Sequence, residues 1–516
     1  MADFKLSRRA LLAGSVPASV AASQGAPERP NILHIMTDQQ QWATLLGRSE
    51  CRTPNLNRLA HEGMAFERSY TPSAVCCPAR AMILSGAYHW HNGVFNQVHS
   101  PPSVHRDMFP DVVLYSQRLR EAGYRLGYTG KWHASYVRSP LDFGFREVAA
   151  LNSLDPAIVA KLDNNPDGVR LPGRLKSTPH RLMQWPGSEP FVMWGQREGA
   201  VESTPEYFLA ECAIRMMQRF ATGAQPWHLE VQFTQPHDPY MPLKQYLDRY
   251  DPRSIAVPPS FAENFQGKPG LLRRESETWG PVTEDDVRQS RAHYYAYTEQ
   301  VDEQIGRILE ALDRTGQAGR TLVVATADHG DMVGAHRLWI KGWIPFEECY
   351  RVPLIMRWPG HIPAGATTDR LVQTHDLAHT YVAAAGARPL PYADGRPLQP
   401  LFADPRSAGW PGQILCAYYG GEFLYTQRIA ITNRFKYVFN GFDYDELYDL
   451  ERDPAELRNV IHEAGYTKYT DDMRARLYEL MAEFHDPFGD RPEPYGGVTH
   501  GDRYCAPRYL PRGKRL

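Results

Sequence analysis

Residues Val301–Gly330 read VDEQIGRILEALDRTGQAGRTLVVATADHG, and three signals follow one another within them. Val301, Ile305, Ile308, Leu309 and Leu312 recur at helical spacing and form one apolar stripe. Gly316 follows, where such a helix would stop. Thr321–Thr326, TLVVAT, then reads as a strand that runs into Asp328-His329-Gly330. The stretch is therefore a helix, a strand and a polar end.

Working outward, the same unit recurs. Asn31–Thr37 (NILHIMT) is a short apolar run that stops at Asp38-Gln39. Arg125–Thr129 (RLGYT) leads into Gly130-Lys131-Trp132-His133, and His228–Thr234 (HLEVQFT) into Gln235-Pro236-His237-Asp238. Pro54–Gly63 (PNLNRLAHEG) has Leu56, Leu59 and Ala60 on one helical face and a terminal glycine. Strand and helix alternating at this rhythm predict an α/β fold, a large mostly parallel sheet with helices on both faces. After about Pro389 the character changes. Prolines and glycines cluster in GARPLPYADGRPLQP, short aromatic-rich runs follow (ILCAYYG, FKYVFNGF), and TDDMRARLYELMAEFH reads as a charged helix. We expect a main domain over residues 30–400 and a smaller α+β domain, antiparallel sheet plus helix, over residues 401–516.

The chain has 516 residues, 42% hydrophobic and 22% charged, which is enough for a large core of ordinary soluble composition. A formal net charge of −2 gives no reason to expect nucleic acid as a partner. The seven cysteines, Cys51, Cys76, Cys77, Cys212, Cys349, Cys416 and Cys505, contain no CxxC pair. Neither a zinc ribbon nor a thioredoxin-type site is indicated, and a disulfide framework is not expected at this density. The N-terminal KLSRRALLAGSVPASVAASQGA places Ser7-Arg8-Arg9 before an uncharged run that gives way to small residues. That is the layout of a twin-arginine export signal over residues 1–29, too short and too rich in Gly, Ser and Pro to remain as a membrane span. The expected location is periplasmic or secreted; without export the chain would be cytoplasmic.

In a parallel sheet all carboxyl ends lie on one edge, where ligands bind. Turn residues after strands are commonly Asp or His, so one such end means little; four in succession point to a shared pocket. Asp38, Gln39, Asp328 and His329 together offer two carboxylates, an amide oxygen and an imidazole. That donor set suits Ca²⁺, Mg²⁺ or Mn²⁺ better than zinc. Ser73–Gly86, SAVCCPARAMILSG, places Cys76 and Cys77 at the start of a helix with Pro78 in its first turn and Ser85-Gly86 at its end. Backbone N–H groups there favour an anion, and Arg80 adds a fixed charge, a setting that would activate a thiol or hold an oxyanion.

Cys76-Cys77-Pro78-Ala79-Arg80 followed by AMILSG resembles the signature of the type I sulfatases of the alkaline phosphatase superfamily. The family's other landmarks stand in order: MTDQQ at Met36, TPNLNRLAHEGMAF at Thr53, GYTGKWH at Gly127, QPHDPY at Gln235, TADHGDMVGAHRLWIKG at Thr326 and ELYDLERDPAELRN at Glu446. The resemblance covers nearly everything from Asn31 to about Ile461 and implies an alkaline-phosphatase-like fold and hydrolysis of sulfate monoesters. It implies that a maturation enzyme oxidises Cys76 to formylglycine, while Cys77 occupies the variable position and stays a thiol. It implies a metal held by Asp38, Gln39, Asp328 and His329 together with the modified Cys76, steadied by Arg80; Ca²⁺ is the first expectation and Mn²⁺ the alternative. One hydroxyl of the aldehyde hydrate would attack sulfur, Lys131 and Lys341 would stabilise the sulfuryl oxygens, and His237 would protonate the leaving alcohol. His133 would then deprotonate the second hydroxyl. Asn96 and His336 are expected at the substrate. Many sulfatases carry Asp-Asp and Asp-Asn where this chain has Asp38-Gln39 and Asp328-His329. This combination also occurs in choline-sulfatase-like enzymes and in phosphonate monoester hydrolases, which keeps phosphonate monoester or phosphodiester hydrolysis open as the alternative activity. Arg337 replaces a usual glycine, and His375 precedes Asp376; neither supports a role. The expected substrate is a sulfated carbohydrate or a small organic sulfate. A non-catalytic binding protein of this fold would show damage to the motif set, and there is none.

Overall fold

The computed structural model describes residues 29–487, apart from 101–102, 153–155, 160–167, 170–174, 185–186, 393, 421–424 and 442. The expected export segment, but for its last residue, and the basic C-terminal tail lie outside the described residues.

Eight strands form the main sheet: β1 (Asn31–Asp38), β2 (Met64–Phe66), β3 (Arg125–Lys131), β4 (Glu147–Asn152), β5 (Trp227–Pro236), β6 (Thr321–Ala327), β7 (Leu354–Arg357) and β8 (Ala366–Thr368). Their order is β8-β2-β7-β6-β1-β5-β3-β4. The five strands from β6 to β4 are mutually parallel, and β7 alone runs against its neighbours. Every residue of β1 and β6 is buried, which is what helices on both faces demand of a parallel sheet. The alternation read from the sequence therefore holds, with one reversed strand that the pattern did not reveal.

The stripe Val301–Leu312 belongs to a 31-residue helix, Glu284–Arg314. Thr283 caps it, and its apolar face is buried with Leu33, Ile35, Leu229 and Val323 of the sheet. Each such side chain contributes about 1.5–3 kcal/mol by leaving water. The Cys76 helix spans Cys76–Ser85, is buried along its whole length, and closes on Gly86 in the left-handed region at φ 67°. A second sheet, Gln413–Tyr418, Gln427–Thr432, Phe435–Asn440 and Glu446–Asp449, is antiparallel throughout. The helix Thr467–Glu483 packs on it through Met473, Leu477 and Leu480. The six cysteines among the described residues are free and buried.

Candidate active site

Because β1, β3, β5 and β6 are parallel, Asp38, Lys131, His237 and Asp328 emerge on one edge of the sheet. The Cys76 helix points its N-terminus at that edge. Cys76 Sγ lies 3.1 Å from His329 Nε2 and 3.9 Å from Asp38 Oδ1. Arg80, one turn further on, donates from Nε to Asp328 Oδ2 and from Nη2 to Asp38 Oδ2, both at 2.9 Å. Its third contact, Nη1 to the Lys131 carbonyl at 3.0 Å, ties the helix to the end of β3. Gly130 makes that end possible: at φ 97°, a Cβ there would strike the Gln232 carbonyl of β5.

Lys131 Nζ pairs with Asp38 Oδ2 at 2.5 Å. Lys341 Nζ lies 2.6 Å from His237 Nε2 and donates to Gln39 Oε1. Gln39 sits in the left-handed region at φ 67°, its amide nitrogen 2.9 Å from Asp238 Oδ1. These groups meet at a cavity of about 1020 Å³, lined by Cys76, Lys131, His133, His237 and Lys341 and walled outward by Tyr136, Phe191, Trp279, Trp343 and Tyr418.

The electrostatics separate the two adjacent cysteines. Burial pushes the Cys76 thiol up, but Lys131, Lys341 and His329 outweigh it and hold Cys76 well below the usual thiol range. Cys77, one residue on, is driven up by burial and by the neighbouring Cys76 charge. Burial, aided by Lys131, holds His133 down at about 3, so its ring is neutral. Burial lowers His237 too, but Asp238, 3.2 Å from Nδ1, prevails and raises it.

Asp38, Cys76, Asp328 and His329 are all buried, and one donor atom from each lies within 4.8 Å of the others. Burial and the nearby Asp38 charge raise Asp328, while Asp328 and Cys76 lift His329 to about 9 against its burial. So much buried negative charge drawing a proton onto an imidazole is the condition a divalent cation relieves, and the donor set fits one.

Two expected residues stand elsewhere. His336 lines no part of the cavity. Its Nδ1 pairs with Glu263 Oε2 at 2.9 Å, and its ring stacks on Phe346 at 3.7 Å. Asn96 is buried behind the wall, its Oδ1 accepting from Ser103 Oγ at 3.3 Å and from the Val104 N–H at 3.2 Å, while Gln97 and His99 face the cavity. His99, 2.8 Å from His133 Nε2, is not foreseen from the sequence, and Asp238, which closes the run after β5, has no role assigned there although it partners His237. Asp238 was legible in the PHDP run beside the histidine; His99 carries no spacing signal.

The chain matches the sulfatase family over residues 30–387 and the C-terminal family of N-sulphoglucosamine sulphohydrolase over residues 334–483. It is 30% identical over 475 residues to a choline-sulfatase of Rhizobium meliloti (strain 1021), with 88% of each chain covered. The phosphonate monoester hydrolase of Agrobacterium radiobacter superposes with a TM-score of 0.71 at 24% identity, covering 88% of this chain and 96% of that one. A solved structure in complex with its substrate D-glucosamine-2-N,6-O-disulfate superposes with a TM-score of 0.69 at 21% identity, covering 90% and 100%. The helix-borne Cys76, the cations around it and the match along most of the chain agree: this protein belongs to the sulfatase family of the alkaline phosphatase superfamily.

Proposed function

We propose that Cys76 is oxidised to formylglycine by a maturation enzyme and that its hydrate is the nucleophile with which the chain hydrolyses sulfate monoesters. The observation that carries this is the placement of Cys76. It stands at a helix N-terminus on the cavity wall, near Lys131 and Lys341 and 3.1 Å from His329 in the buried donor quartet. Lys131 and Lys341 bind the sulfuryl oxygens and stabilise the charge that grows on them. His237, raised by Asp238, carries the proton for the leaving alcohol. His133, neutral through burial, can accept a proton from the Cys76 position. Arg80 holds Asp38 and Asp328 in place.

Asp38, Asp328, His329 and the amide of Gln39 would hold a divalent cation, Ca²⁺ in our reading and Mn²⁺ as the alternative, which supplies Lewis-acid activation of the attacking hydroxyl. The substrate is a small organic or carbohydrate sulfate. A relative whose name is choline-sulfatase and a neighbour bound to a disulfated glucosamine support that range. We assign the chain to the periplasm or the exterior on the strength of Ser7-Arg8-Arg9 and the uncharged run behind it.

The second reading, phosphonate monoester hydrolysis, is favoured by the Asp38-Gln39 and Asp328-His329 pairs. A matched pair of substrates tests it: an aryl sulfate and an aryl phosphonate monoester with one leaving group, offered to metal-replete protein. A higher kcat/KM for the sulfate is expected. A higher value for the phosphonate would move the chain to the sister activity.

A further inference from the structure

A second group of metal-ligating side chains lies beside the active site. Cys77, His99 and His133 each offer one donor atom, and these atoms lie within 4.8 Å of one another. The two imidazoles are stacked with centroids 4.6 Å apart, and His133 Nε2 is 2.8 Å from His99 Nδ1. His133 Nδ1 is buried with no hydrogen-bond partner. His99 is exposed and lines the cavity, so an ion can arrive from solvent. The rest of the wall is firm: Cys77 is buried in the main core, and the Val98 N–H rests 3.4 Å from its sulfur.

The donor chemistry differs from that of the Asp38–Asp328 group. One thiolate and two imidazoles form a soft, nitrogen-and-sulfur set, which selects Zn²⁺ over Ca²⁺ or Mg²⁺. We propose that Cys77, His99 and His133 bind a Zn²⁺-class cation, leaving one coordination position open to the cavity, and that this binding switches the enzyme off. Bonds of roughly 2.0–2.3 Å put tetrahedral donors about 3.3–3.8 Å apart, so ring nitrogens 2.8 Å apart must open slightly, and a gap near 4.8 Å must close. The exposed His99 is the side chain with room to make that move. Binding releases the Cys77 proton to solvent. Coordination through either nitrogen of His133 leaves the ring's one remaining proton on the other nitrogen, so the ring can accept none. The inhibition rests on the role given to His133 above; the binding does not.

Two readouts keep those claims apart. In a Cys76→Ser chain saturated with Ca²⁺, Co²⁺ should give the near-ultraviolet absorption of a thiolate-to-cobalt bond. Adding Cys77→Ala should abolish it, and His99→Ala should weaken Co²⁺ and Zn²⁺ binding by at least ~10-fold. The absence of a thiolate band, or its survival in the Cys77→Ala chain, overturns the site whatever the enzyme hydrolyses. In matured enzyme held in excess Ca²⁺, Zn²⁺ should inhibit reversibly, while Cys77→Ala should keep the parent's rate and require at least ~10-fold more Zn²⁺. Equal inhibition of both proteins would place the inhibiting ion elsewhere and overturn the switch. His99→Ala, at an exposed position, serves as the second variant should Cys77→Ala fail to fold.

Discussion

Two of the places where the described residues bury charge serve opposite ends. At the active site, Asp38, Asp328, Arg80, Lys131 and His329 crowd around Cys76 at the edge of a large cavity. At the junction with the C-terminal sheet, Lys436 Nζ lies 2.9 Å from Glu347 Oε1 and 2.7 Å from Glu456 Oε1. Lys268 and His336 both pair with Glu263 there. No member of this junction lines the active-site cavity. Its ions pair with one another across the chain and set the fit of two parts. The active-site ions also pair, through Arg80 and Lys131, but they do so around Cys76 at the wall of a cavity that a ligand can enter. Buried charge alone therefore does not mark a site; buried charge beside an open cavity does.

The largest expected effect tests the junction. Lys436→Ala strands Glu347 and Glu456 in a buried place and should cost about 3–5 kcal/mol of stability. Denaturant unfolding would measure that loss, while kcat of the folded fraction should stay near the parent value. A large fall in kcat with unchanged stability would erase the distinction between the two clusters. Next in size, Lys341→Ala should lower kcat for a sulfate ester by ~10²–10³-fold with little change in Tm. The two histidines then sharpen the contrast. His237→Ala should lower kcat by ~10²-fold or more, whereas His336→Ala should lower Tm and leave kcat alone. A catalytic defect in His336→Ala would restore that residue to the substrate.

The smallest effect is a slope. Burial lifts Glu446, in the last strand of the C-terminal sheet, to about 7 from an ordinary 4.5. A carboxyl whose folded value is the higher binds its proton more tightly when folded. Its contribution to stability is complete below the ordinary value and is lost as pH rises through about 7. Urea midpoints of the parent, compared at about pH 5 and about pH 8, should fall by more than those of Glu446→Gln. Equal falls would mean that the buried carboxyl does not control the slope.

The site was largely legible in the sequence because parallel strands turn a local signal into a shared position. Asp38 and Asp328 lie 290 residues apart, yet each follows an apolar run, and β1 pairs with β6 in register. Any reading that makes the sheet parallel brings them together. Cys76 and Arg80 were legible as one helical turn. His336 misled because it lies within the motif run from Thr326 to Gly342, while its true partner, Glu263, is 73 residues away and carries no signal. Asn96 sits one residue from Gln97 on a loop whose path only tertiary packing fixes, and the same loop hid His99. The reversed β7 was equally illegible, since a buried apolar run has no direction of its own.

One measurement bears most directly on the central claim. Preparations that differ in the fraction of Cys76 carried as formylglycine, determined by mass spectrometry of the Cys76 peptide, would be assayed against one aryl sulfate. Turnover should rise in proportion to that fraction and be absent from Cys76→Ala protein that folds like the parent. Full turnover with unmodified Cys76, or retained turnover in Cys76→Ala, would contradict the account.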